Sequence, residues 1–297
     1  MLITARFLFV LLFAFSVSAS AKSAEDGKFE KYWYAGKAEI TSYGLSQARY
    51  GEKHPGYAVL IFVTEDFSRS KHVKLDNPSS AGGDAVRVLK LNLVKKFNTG
   101  VYRYSTMSSV FTPVEGKDPR TLKATLSSQE WCGNVFAQLN LKGNRYRART
   151  YSYFESDGDR NFKIPGAFLE DEIWTRARIN PASLPTGRIK VVPGLLITRL
   201  LHTRLGVEEA DAKISTPKKG VTRYSLYFPD TERVFEMDFE TDFPHKIVSW
   251  REEYQSGWGA GAPRVESVAR IKKTLLSDYW KRNRLSDVKM RKQLGIE

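Results

Sequence analysis

From residue 57 to residue 254, apolar side chains recur at every second position in run after run, and short turn segments break the runs. A period of two places alternate side chains on opposite faces, so such runs build half-buried strands. Tyr57 to Val63 is continuously apolar, as expected of a strand covered on both faces, while Val86 to Phe97 alternates through Leu89, Leu91 and Leu93. Leu122 to Gln129, Asn134 to Leu141 and Arg145 to Phe154 form a meander, with Lys142-Gly143-Asn144 as a hairpin-type turn. In the last of these Arg145, Arg147 and Arg149 share one face and Tyr146 and Ala148 the other. A second set follows at Arg223 to Phe228, Arg233 to Phe239 and Lys246 to Tyr254, divided by Pro229-Asp230 and Phe243-Pro244-His245. The expected fold class is mainly antiparallel β with a few helices, in a half-barrel or sandwich of α+β type.

Two helices are predicted. One starts at Pro165, carries a stripe of Leu169, Ile173 and Ala177, and is stopped by Asn180-Pro181. The other lies near the C-terminus, with Ser277 and Ser286 as caps and Gly295 as its stop. Val191 to Ile214 fits strands or a helix from Leu195, and strands are favoured. No repeat or long linker divides the chain, so residues 22–297 read as a single β-rich domain.

The first residues read as a secretory signal. Arg6 precedes an apolar run from Phe7 to Val17, and Ala19-Ser20-Ala21 ends it in small residues, placing cleavage after Ala21, with Ala24 as the second choice. The run is about half the ~20 residues needed to span a bilayer. A lipoprotein needs a cysteine at that point, and the chain's single cysteine is Cys132. The expected location is therefore periplasmic or secreted. Residues 1–21 hold one basic and no acidic residue, so the full-chain charge of +14 becomes +13 after cleavage. Nine Lys and Arg against Asp278 and Asp287 make the stretch from Arg270 to Lys292 the most basic part of the chain. Export excludes nucleic acid as a partner, leaving lipid, lipopolysaccharide or acidic glycan, with peripheral membrane contact, as the expected partners.

No catalytic, metal or cofactor motif stands out. Glu155, Asp157, Asp159 and Asn161 mimic a calcium loop, but counting from Asp157 puts Phe162 and Phe168 where the glycine and bidentate acid belong. A tight turn at Asp157-Gly158-Asp159 explains them. Glu170-Asp171-Glu172 reads as a solvated helical turn, because consecutive helical residues diverge. Glu236, Asp238 and Glu240 share a strand face and read as one row of an ion-paired surface, opposite a row such as Arg145, Arg147 and Arg149. Cys132 reads as a buried structural thiol, and His54, His72, His202 and His245 are too scattered to suggest a cysteine–histidine pair or zinc. Aromatics make up 12% of the chain; Tyr32, Trp33, Tyr34, Tyr102, Tyr104, Tyr151, Tyr153 and Phe154 suit strand packing or an apolar cleft.

The runs Lys31 to Ile40, Gln47 to Gly51, Phe62 to Phe67, Gln129 to Gly133, Leu169 to Trp174, Leu184 to Gly187 and Ser277 to Trp280 resemble an uncharacterised family of exported bacterial proteins. The likeness spans nearly the whole mature chain and implies no catalytic role. Members sometimes carry a Maf-type septum-formation-inhibitor label, but Maf proteins are cytosolic nucleotide pyrophosphatases, and nothing here resembles their opening Ser- and Arg-rich motif. A fainter likeness, at Phe235 to Phe239 and Phe243 to Ile247, is to lipoprotein carriers, whose curved sheet shelters acyl chains around helices. The function these readings favour is non-catalytic binding of an amphiphile or acidic envelope component. Its rival is an envelope hydrolase using carboxylates or Cys132 with a histidine. N-terminal sequencing of the protein recovered from its producing cell is expected to begin at Lys22; a chain still starting at Met1 would overturn the export reading.

Overall fold

A computed structural model describes residues 27–116, 119–259 and 261–296; the signal segment and its cleavage point lie outside them. A short helix, α1 (27–33), leads into β1 (Ala38–Arg49), β2 (Glu52–Ser68), β3 (Ala85–Thr99), β4 (Tyr102–Pro113), β5 (Lys123–Glu130), β6 (Gly133–Lys142), β7 (Arg145–Ser152) and β8 (Arg160–Pro165). After β9 (Phe168–Leu169) and a 3-10 turn at Glu170–Glu172 come α2 (Ile173–Ile179), β10 (Gly187–Val192) and α3 (Leu195–Leu201). The chain then runs through β11 (Glu208–Lys218), β12 (Val221–Phe228), β13 (Arg233–Glu240), β14 (Ile247–Gln255) and β15 (Arg264–Ser277) to α4 (Lys289–Leu294). The fold is mainly antiparallel β with a few helices, as the alternation requires, and it is one open sheet rather than a sandwich.

The sheet holds fifteen strands, with β1 paired to β15 in the middle and with β8 and β9 at its edges. Every neighbouring pair is antiparallel except β9 and β10. Laid flat at about 4.8 Å per strand, the two edges would stand roughly 67 Å apart. Yet only Gly166-Ala167 separates β8 from β9, and the Cα step from Pro165 to Phe168 spans at most about 11 Å. The sheet must therefore curl into a ring whose last gap is bridged by the chain itself. At that bridge Gly166 N–H donates to the carbonyl of Asn144 at 3.0 Å, and a Cβ on Gly166 would lie 2.6 Å from the same oxygen. Glycine is needed there for close approach.

Strand side chains fill a ring of about eight strands, and a wider one needs something else inside. Here α2 and α3 supply it. Ile173 to Arg178 are buried without a break, and so are Leu195, Leu196, Ile197 and Leu200. One cluster joins Trp174, Ala177 and Leu195 to inward residues of strands all round the ring, including Leu60, Leu91, Leu126, Leu139, Tyr224 and Phe235. The run Leu195–Leu201 is thus a helix, not a strand; a helix buried on all sides has no polar face to reveal its period. The helix predicted from Pro165 begins only at Ile173, because Pro165 ends β8 and residues 168–169 pair with β10. Near the C-terminus, Ser277 ends β15 instead of capping a helix, and α4 lays Leu294 and Ile296 on the outer face of β1 and β2.

A helix buried all round must also bury its charges. Arg178, 1% exposed, meets Glu39 of β1 in two hydrogen bonds of 2.6 and 2.7 Å, and its Nε–H donates to the Pro244 carbonyl at 2.8 Å. Tyr32 of α1 donates a short hydrogen bond to Glu39. Burial pushes the Glu39 carboxyl up, but the Arg178 charge, its hydrogen bonds and the Tyr32 hydroxyl outweigh burial and hold it below the usual range. Arg178→Met strands a buried carboxylate and is expected to cost about 3–5 kcal/mol in urea denaturation, most of which Glu39→Leu should restore in the double variant. Equal stability of the single variant and wild type would show that the pair holds nothing in place.

Candidate functional site

The ring has two mouths. At the near mouth, which carries α1 and the β13–β14 loop, the end of α2 stops short of the rim and leaves a cleft of about 730 Å³. Asn180 ends α2 in extended backbone, and its side-chain oxygen accepts from Ala182 N–H at 3.1 Å as the chain turns through Pro181. This turn forms the cleft floor with Ile179. Phe29, Phe239 and Phe243 form its apolar wall, and the ring of Phe243 packs edge-on against Tyr32 at 5.7 Å. Thr222 and Thr241, whose hydroxyls pair at 2.9 Å, line it with Arg176, His245, Glu30 and Glu115. The Phe243-Pro244-His245 turn was visible in the sequence. That it would meet the end of α2 was not, because the two are joined only through the ring.

The acids singled out in the sequence fall into two groups. Glu236 and Asp238 do lie in an ion-paired surface, but their partners are Arg223 and Arg251 on the adjacent strands, at 2.6 to 2.9 Å. The row Arg145, Arg147 and Arg149 is exposed on β7, well away in the strand order. Glu170, Asp171 and Glu172 are not solvated; they are 5%, 8% and 2% exposed. Their 3-10 turn sits inside the ring, where each acid finds its own partners. Glu170 takes the Arg233 guanidinium and the N–H of Gly194, while Glu172 accepts from the N–H groups of Thr121 and Leu169 at 3.1 Å and stands 3.6 Å from Arg176.

Asp171 has the weakest support. It accepts the N–H of Leu195 at 2.9 Å. Together with Glu170, Lys95 and Glu252, it lines a void of about 30 Å³. Burial is the main cause that lifts its carboxyl to about 7, with the charges of Glu170 and Glu252 adding to it. Carboxylates thus converge here, as a hydrolase would require, but about 30 Å³ holds roughly two waters and no substrate. The arrangement is structural.

At the far mouth lie Cys132 and His202. Cys132 is exposed in the β5–β6 turn, correcting the expectation of a buried thiol; the turn projects beyond the ring, where no core is available to cover it. Among the described residues no hydrogen bond joins it to a histidine. His54 bonds the Arg49 carbonyl, His72 bonds Asn140, and His245 packs on Phe239 and Phe243. His202 is different. Its Nδ1 lies 3.1 Å from Asp157, and its Nε2 takes a hydrogen bond from Arg199, which also donates to Glu130 at 2.6 Å. Burial, then the Arg199 charge, pushes the imidazole down despite Asp157. Asp157 and Gly158 occupy the β7–β8 loop as predicted, but nothing in their spacing announced the histidine. Among the described residues no group of three metal-ligating side chains forms, and no helix is long and apolar enough to cross a membrane.

Comparison with family models, with curated proteins and with solved structures finds no match in any of the three.

The native state binds the Asp171 proton more tightly than the unfolded chain, so this residue's contribution to stability is fully present below about pH 4 and declines as pH rises to about 7. In denaturation curves between pH 4 and 8, Asp171→Asn is expected to gain on wild type with rising pH, by an amount of order a few kcal/mol. Parallel curves for the two proteins would contradict the assignment.

Proposed function

We propose that the protein is an exported, non-catalytic binding protein of the bacterial envelope, and that its near-mouth cleft takes an amphiphile. The observation that carries this reading is the cleft itself. Small-molecule sites measure about 300–1,000 Å³ and combine an apolar wall with a few polar groups. This cleft, at about 730 Å³, has its phenyl wall on one side and hydroxyl and amide groups on the other. The apolar part of a ligand lies on Phe29, Ile179, Phe239 and Phe243, and its polar part meets Asn180, Thr222 and Thr241. Export rests on the leading segment, and the net charge of +13 left after cleavage favours anionic components such as lipid, lipopolysaccharide or acidic glycan at the surface.

Placement in the periplasm or outside the cell is part of the same proposal. Mass spectrometry of protein purified from its native envelope is expected to find a co-extracted amphiphile. Thr241→Trp, which fills the cleft from its exposed rim, should retain at least tenfold less while melting at the wild-type temperature. Protein that carries no amphiphile, or a variant that carries as much as wild type, would overturn this assignment.

A further inference from the structure

At the far mouth, β5 to β8 and α3 enclose a second void of about 70 Å³, separate from the cleft. Its inner wall is apolar, formed by Leu126, Ala137, Phe162, Leu195 and Leu205. Its outer wall carries three guanidinium groups, Arg160, Arg199 and Arg204, against the single carboxylate of Asp157. That carboxylate is already engaged with His202 and, at 3.4 Å, with the Ser152 hydroxyl.

Arg199 is 5% exposed, and its two terminal nitrogens are committed to His202 and Glu130. Its Nε–H, buried, has no acceptor, and the Oε2 of its partner Glu130, also buried, has no donor. Arg160 donates to the Ser156 carbonyl at 2.6 Å. Among the described residues neither it nor Arg204 is ion-paired. A void that is apolar inside and cationic at its opening calls for a ligand with the same division. Its volume limits the apolar part to about six carbons, the space of roughly five waters.

We propose that this void is a binding site for a short aliphatic carboxylate. The chain lies among Leu126, Ala137 and Leu205, and Arg160 and Arg204 at the opening bind the carboxylate.

Isothermal titration calorimetry with hexanoate tests this directly. Hexanoate is expected to bind one per chain, at least tenfold more tightly than acetate, which lacks the chain, or hexanol, which lacks the charge. Arg204→Ala, an exposed substitution, should weaken hexanoate at least threefold. Ala137→Leu, which fills the void, should abolish binding, with circular dichroism confirming the fold of both variants. Thr241→Trp should leave hexanoate binding unchanged, separating this site from the cleft. Absence of saturable binding, equal affinity for hexanol, unchanged affinity in Arg204→Ala or Ala137→Leu, or loss in Thr241→Trp would each overturn the proposal.

Discussion

The step across Gly166-Ala167 sets the rest of the structure. By joining the two outermost strands it fixes the circumference of the ring. A circumference of fifteen strands leaves an interior too wide for side chains alone, so helices must occupy it. Helices enclosed on every side carry their polar residues into the interior, where each charge needs a partner. The pairs Glu39–Arg178, Glu130–Arg199, Glu170–Arg233 and Lys95–Glu252 answer that need, and each ties an enclosed element or an inward strand position to the opposite wall or to its neighbour. Buried pairs are weak sources of net stability but severe penalties when broken. Three of the four hold α2, α3 and the Glu170–Glu172 turn to the wall, and Lys95–Glu252 joins β3 to β14 across the interior.

A filled interior moves any binding to the mouths. The helices end before the rims, and the two openings they leave differ in chemistry. The near cleft is large, walled by phenyl rings on one side and by hydroxyl and amide groups on the other. The far void is small and apolar, with guanidinium groups at its opening. The interior of the ring is occupied by α2 and α3, so the larger open spaces lie at its ends and not along its axis.

Much of the sheet was legible because alternation is a local signal: Phe235, Met237 and Phe239 point inward, and Glu236, Asp238 and Glu240 are more exposed, as their period demands. What was not legible depends on contacts far apart in sequence. Leu195–Leu201 hid its helical period because it is enclosed on all sides. Glu170, Asp171 and Glu172 read as solvated because three adjacent acids normally are; the partners that bury them, Arg233, Gly194, Leu195 and Thr121, lie 24 to 63 residues away. The cleft could not be read because its walls come from both halves of the chain. Cys132 was misplaced for the opposite reason, since burial is the usual fate of a free cysteine and only the position of its turn exposes it.

The β1–β15 seam carries a further consequence. Ala38 pairs with Ser277 and Ser46 with Val268, so the first strand of the ring waits for the last one made. Until β15 arrives, β1 presents an unpaired edge twelve residues long beside an unfinished interior. Non-local pairing of this kind is slow to form and exposed to wrong partners. The ring of such a chain closes only after its final strand has been made, and truncation near the C-terminus leaves the β1 edge open to aggregation.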